Sequence, residues 1–155
     1  MKKLIPVHYD VCEIKVSYRP MFNQQERPKV TDSLHAADLF RQAWDQGRLE
    51  LVEDFHVMYL NRANNVLGMF HSTAGSVTGV MCDVKTVMAT ALKVNACSMI
   101  LAHNHPSGSL NPSQQDKAIT RQFREAAKVL GMEVLDHVIL TRDGYYSFAD
   151  EGMMF

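Results

Sequence analysis

Hydrophobic and polar positions alternate with a period of two from Val11 to Tyr18. Cys12, Ile14, Val16 and Tyr18 face one way, and Val11, Glu13, Lys15 and Ser17 the other, which predicts a strand with one wet face. Arg19 to Lys29 is too polar and too punctuated by Pro20 and Pro28 to pack as an element, and reads as a surface loop or a flap. The period then changes. Thr31, Asp32 and Ser33 offer caps for a helix over Ser33 to Gln46, with Ala36, Ala37, Phe40, Ala43 and Trp44 on one side and Gly47 as its stop.

Leu51 to Leu60 and Val66 to Ser72 are two β-rich runs joined by Asn61-Arg62-Ala63-Asn64-Asn65, where asparagine tolerates the left-handed backbone of a hairpin turn. Asp83 can cap a second helix with Val84, Val87, Met88, Ala91 and Leu92 at helical spacing and Asn95 near its end. Cys97 to Ala102 is short and nearly all apolar, as in a strand covered on both faces. A third helix spans roughly Ser113 to Leu130, with Ile119, Phe123, Ala126, Ala127 and Leu130 inward and Gly131 ending it. Glu133 to Thr141 and Tyr145 to Phe148, around Arg142-Asp143-Gly144, close the chain as a second hairpin. The fold class is α/β: a mixed central sheet flanked by about three helices, in one domain over residues 1–155, with strand, loop and first helix in 1–48 and the core in 49–155.

Composition narrows the functions. The chain has 155 residues, 46% hydrophobic and 21% charged, enough for one packed core. Its net charge of −1 and scattered Lys and Arg provide no basic stripe, so autonomous nucleic-acid binding is not expected. Pro6, His8 and Asp10 interrupt any N-terminal apolar stretch, so neither a signal peptide nor a membrane span is expected. Cys12, Cys82 and Cys97 are widely spaced, never in a Cys-X-X-Cys pair, and read as buried thiols of a cytoplasmic protein. The ten methionines read as core filler, and Gly75 to Gly79 lacks both a dinucleotide fingerprint and a phosphate-binding lysine.

Chemistry concentrates where the apolar Cys97 to Ala102 run ends in His103-Asn104-His105-Pro106. In extended backbone, residues 103 and 105 project to one side, so two imidazoles can share one ion. A catalytic zinc site typically has three protein ligands and keeps a further position for water. Asp116, in the first turn of the third helix, supplies an acid that the 106–112 loop can bring back over the strand end. Ser113-X-X-Asp116 has a structural competitor, since it also reads as a capping box, and the two roles can coexist.

His103-Asn104-His105-Pro106 followed by Ser113-Gln114-Gln115-Asp116 resembles the JAMM (JAB1/MPN/Mov34) metalloprotease motif. The string from Asn95 through Asp116, with Asp136-His137 and Tyr146-Ser147 beyond, is similar to the bacterial RadC-like branch, and most of Leu49 to Phe155 is covered. The first 48 residues show no counterpart of that branch's helix-hairpin-helix region. The resemblance implies a JAB/MPN, cytidine-deaminase-like architecture and one Zn2+ per chain on His103, His105 and Asp116. It also implies Ser113 bonding to the water or the tetrahedral intermediate, and an upstream glutamate acting on the proton of the water. That glutamate maps to Glu53, in Glu53-Asp54-Phe55, with Glu50 as the alternative.

The implied activity is a zinc-dependent peptidase or isopeptidase acting on a peptide or protein, with homo-oligomer formation left open. Zinc deamination would require His-X-Glu and Pro-Cys-X-X-Cys, and the chain has neither. A competing reading keeps the fold as a non-catalytic or DNA-repair-associated module acting through a partner. His8, His35, His56 and His71 read as ordinary core or surface histidines. Asp136-His137 reads as a structural strand pair, with orientation of a metal ligand as the other reading.

Overall fold

The computed structural model describes residues 15–21, 23–72 and 82–155. Val11 to Ile14 of the expected first strand, Cys12, His8 and the Gly75 to Gly79 segment lie outside them. The described part of that strand, Lys15 to Tyr18, is not extended in a ladder, and Arg19 to Lys29 carries a single 3-10 turn over Gln24–Glu26. Lys29 bridges to Asn65, and the Tyr18 hydroxyl donates to the Leu67 carbonyl, so this stretch runs beside the sheet edge.

Among the described residues, three helices and five strands follow: α1 Ser33–Ala43, β1 Phe55–Leu60, β2 Val66–His71, α2 Val84–Lys93, β3 Ser98–Asn104, α3 Gln114–Val129, β4 Glu133–Leu140 and β5 Tyr145–Ser147. They form one mixed sheet of order β2-β1-β3-β4-β5, in which only β3 and β4 are parallel. That parallel pair needs a crossover, and α3 supplies it. Both expected hairpins are present.

Every residue of β1 and β3 is buried, because helices cover both faces of the sheet. On one face α1 packs Ala36, Ala37 and Phe40 against Met58, Leu60, Ile100, Ala102, Val138 and Leu140. On the other, α2 and α3 pack Val87, Met88, Ala91, Phe123 and Ala127 against Phe55, Val57, Tyr59, Met99 and Leu101. Odd-numbered residues of β1 and β3 thus face α2 and α3, and His103 continues that row.

Several boundaries differ from expectation for identifiable reasons. Helix α1 stops at Ala43 because Trp44 turns extended (φ −76°, ψ 137°) and the Gln46 amide caps the carbonyls of Arg41 and Trp44. Strand β1 opens at Phe55, not Leu51, because the buried Asn104 side chain takes up the carbonyls of Leu49 and Val52. Leu130 and Leu92 are exposed, at 42% and 55%, where inward positions were expected. The inner row of α3 is instead Asp116, Thr120, Phe123 and Ala127, with Ile119 and Ala126 half-buried. Cys97 is exposed rather than buried, while Cys82 is half-buried beside Ser72 and its thiol is pushed up to about 11 by burial. Met58, Met88, Met99 and Met132 do fill the core, whereas Met21 is exposed. Among the described residues, no helix is long and apolar enough to cross a membrane.

Candidate metal centre

Strand β3 carries His103 at its end, the following loop carries His105, the first turn of α3 carries Asp116, and the residue pair before β1 carries Glu53. Their ligand atoms all lie within 4.8 Å of one another, the one such group among the described residues. His35, His56 and His71 do not join it. Glu50 does not reach it either: its exposed carboxylate pairs with Arg142 at 3.2 Å.

The hydrogen bonds assign the imidazole tautomers. His105 Nδ1 lies 2.7 Å from the Ser109 carbonyl oxygen, which can only accept, so Nδ1 carries the proton and Nε2 is bare. The Thr120 hydroxyl donates to the Asp116 carbonyl at 2.6 Å and so accepts from His137 Nδ1, also at 2.6 Å. His137 Nε2 is then an acceptor, and His103 Nδ1 donates to it at 2.8 Å. That leaves His103 Nε2 bare as well. With both rings neutral, the two lone pairs meet at a separation of 3.0 Å, an arrangement that repels unless a proton or a metal ion stands between them.

Asp116 closes the group, with Oδ1 3.2 Å from His103 Nε2 and Oδ2 3.6 Å from His105 Nε2. Bonds of about 2.0–2.1 Å around a tetrahedral ion place ligand atoms about 3.3 Å apart. The three observed separations, two of them to different oxygens of one carboxylate, fall around that value, so two imidazole nitrogens and the Asp116 carboxylate suit a single divalent ion. Burial works to raise the Asp116 carboxyl, but His103, His105 and the Ser113 N–H outweigh it and hold it well below the usual carboxylate range. The His105 imidazole is raised, chiefly by the adjacent Asp116 carboxylate and against burial. His137, completely buried, is pushed far down by desolvation and then by the neighbouring His103, which keeps it neutral.

Glu53 Oε1 stands 3.8 Å from both Nε2 atoms, outside the tight ligand triangle and on its more open side. Exposure rises in the same order, from 2% for the His103 side chain to 23% for Glu53, so the group opens toward solvent on the Glu53 side. Ser113 is the N-cap of α3: its hydroxyl accepts from Asp116 N at 3.0 Å, and its own N–H donates to Asp116 Oδ2 at 2.6 Å. The capping box therefore exists and orients the third carboxylate. Capping uses the Ser113 lone pair and leaves its O–H proton free to donate.

One residue that supports His103 escapes a reading of sequence. Thr120 has no motif; only its spacing four residues after Asp116, on the inner row of α3, could have drawn attention to it. Asp136 is structural as read, accepting from His137 N, Ala149 N and the Ser147 hydroxyl where β4 meets β5. His137 instead bonds directly to His103. Aromatic packing fixes its ring, with Phe148 stacked at 4.9 Å and Phe55 edge-on at 5.6 Å.

A mixed α/β sheet with a His, His, Asp and Glu cluster at a strand end defines a class of domain with a metal-binding potential. Within that class, residues 30–153 match the RadC-like JAB domain model, and the chain belongs to that family. It is 45% identical over 101 residues to a UPF0758 protein of Flavobacterium johnsoniae, a match covering 65% of this chain and 44% of that protein. A UPF0758 protein of Symbiobacterium thermophilum is 41% identical over 103 residues, covering 66% and 44%. The UPF0758 protein YfjY of Escherichia coli K12 is 39% identical over 102 residues, covering 66% and 64%. The matches with the first two thus span less than half the length of those relatives.

Proposed function

We propose that this chain is a zinc-dependent hydrolase, a metallopeptidase or isopeptidase, with one Zn2+ held by His103, His105 and Asp116. The observation that carries the reading is the pair of bare imidazole nitrogens 3.0 Å apart beside a carboxylate, with a second carboxylate 3.8 Å away. Two imidazoles and one carboxylate suit a borderline-soft ion such as zinc, and three protein ligands are the usual number at a catalytic zinc. When bound, such an ion supplies a Lewis acid and lowers the pKa of a water to about 7. Everything else falls to the protein. Glu53 accepts a proton from the attacking water at Oε1 and returns it to the leaving amine, a two-way role suited to a carboxylate that is partly open to solvent. Ser113 donates its free O–H to the oxygen that gains charge as the amide carbon becomes tetrahedral. His137 and Thr120 hold His103 in the tautomer that presents Nε2. The substrate is a peptide or protein amide, and the half-buried and exposed thiols of Cys82 and Cys97 fit a reducing cytoplasm.

The test uses purified protein loaded with one equivalent of Zn2+ and a quenched-fluorescence library of peptides and lysine-linked isopeptides. Cleavage is expected to require Zn2+, and Glu53→Gln should lower kcat at least about 100-fold while binding Zn2+ at one per chain. Unchanged turnover in Glu53→Gln or in Asp116→Asn would overturn the mechanism, as would a stoichiometry other than one.

A further inference from the structure

The residue between the two histidines is completely buried and has no part in the ligand set. Strand alternation sends residue 104 to the side opposite 103 and 105. There its side chain makes three bonds: Nδ2 donates to Leu49 O at 2.7 Å and to Val52 O at 2.8 Å, and Oδ1 accepts from Asp54 N at 2.7 Å. Two of those partners flank Glu53 directly. Residues 49–52 form turns and a bend and are outside the sheet ladder, which begins at Phe55. A bidentate Arg48 to Asp54 pair, at 2.9 Å on both nitrogens, fastens the same segment from the outer side.

We infer that Asn104 is a positioning residue that sets the Glu53 carboxylate in register with the His103 and His105 pair. The inference rests on the reading of Glu53 as the proton acceptor. One tripeptide then carries two imidazoles on one side and, on the other, the clamp that fixes the base at equal 3.8 Å distances from both. The chemistry asks for asparagine. A short planar amide presents two N–H donors and one carbonyl acceptor, whereas aspartate has no donor when ionised and serine only one. A shift of about 1 Å in a reacting group can cost about 100-fold in rate, so release of this clamp reaches turnover without touching a ligand.

The test compares the full-length Zn2+-loaded chain with Asn104→Ser, and with Asn104→Thr should the serine variant not fold. Zn2+ affinity is read by competition with a chromophoric chelator. The position of Glu53 is read from its side-chain carboxyl 13C signal before and after Zn2+ addition, and turnover on the library peptides gives kcat and KM. The expected result is Zn2+ affinity within about 3-fold of the parent, loss of the Glu53 response to Zn2+, and a kcat lower by about 30-fold with KM nearly unchanged. An unaltered Glu53 response, or a kcat that falls only in step with Zn2+ affinity, would overturn the inference. Absence of turnover in the parent together with an intact, Asn104-dependent Glu53 response would overturn the hydrolase reading and leave the positioning role in place.

Discussion

At the scale of residues, the outcome depends on protons that sequence does not display. His103-Asn104-His105 and the acid downstream were legible because each is chemically conspicuous and their spacing has a geometric meaning. Thr120 and the role of Asn104 were not, because a threonine on a helix and an asparagine at a strand end are ordinary until their partners are known. His137 was noticed and assigned a strand role, yet it stands as the acceptor that fixes His103. This makes a direct prediction. Replacing His137 by leucine removes the acceptor, frees His103 to carry its proton on Nε2, and should weaken Zn2+ binding by about 10–100-fold. His137→Gln retains an acceptor and a donor and should recover part of the loss. Chelator competition on the two variants decides it, and equal affinities for the parent and His137→Leu would remove the relay.

At the scale of elements, the hydrophobic pattern located all three helices and the two hairpins but missed ends wherever side chains compete with the backbone. Helix α1 ends early at Trp44, and β1 starts late because Asn104 occupies the groups of the preceding segment. Helix α3 is rotated from its expected face, since a row of Asp116, Thr120, Phe123 and Ala127 has two polar members that periodicity counts as outward. The N-terminus of α3 carries both a stabilising cap and a proposed catalytic hydroxyl, and substitution separates them. Ser113→Ala should lower stability by about 1 kcal/mol, a Tm decrease of about 2–4 °C. Ser113→Asn, also a good N-cap, should restore the Tm while turnover stays low, because the amide does not reproduce the hydroxyl donor. Joint recovery of Tm and turnover in Ser113→Asn would reduce Ser113 to a cap.

At the scale of the molecule, the sheet separates two histidine environments whose pH responses can be told apart. The cluster of His103, His105 and His137 lies toward α2 and α3. On the α1 face, His56 is 3% exposed and lies between Trp44, stacked at 3.7 Å, and His71 at 3.8 Å. Neither His56 Nδ1 nor Trp44 Nε1 has a hydrogen-bond partner among the described residues. Burial, then the neighbouring His71, lowers the His56 imidazole from 6.5 to about 4 against the opposing pull of Asp54. In the unfolded chain the same imidazole titrates near 6.5. Between those values the unfolded state binds the extra proton, so stability must fall as pH drops from 6.5 toward 4, and this group contributes no slope above 6.5. The effect is on the order of 2 kcal/mol over that window. His56→Phe keeps a stacked ring, removes the titration and removes one buried polar atom without a partner. Denaturant unfolding of metal-free protein at pH 8 should therefore show the variant no less stable than the parent, whereas at pH 5 it should be clearly more stable. The site histidines are common to both proteins, so their contribution cancels in the comparison. Parallel pH profiles for the two would mean that His56 is protonated as readily in the folded chain as in the unfolded one, and that the α1 face carries no acid sensitivity of its own.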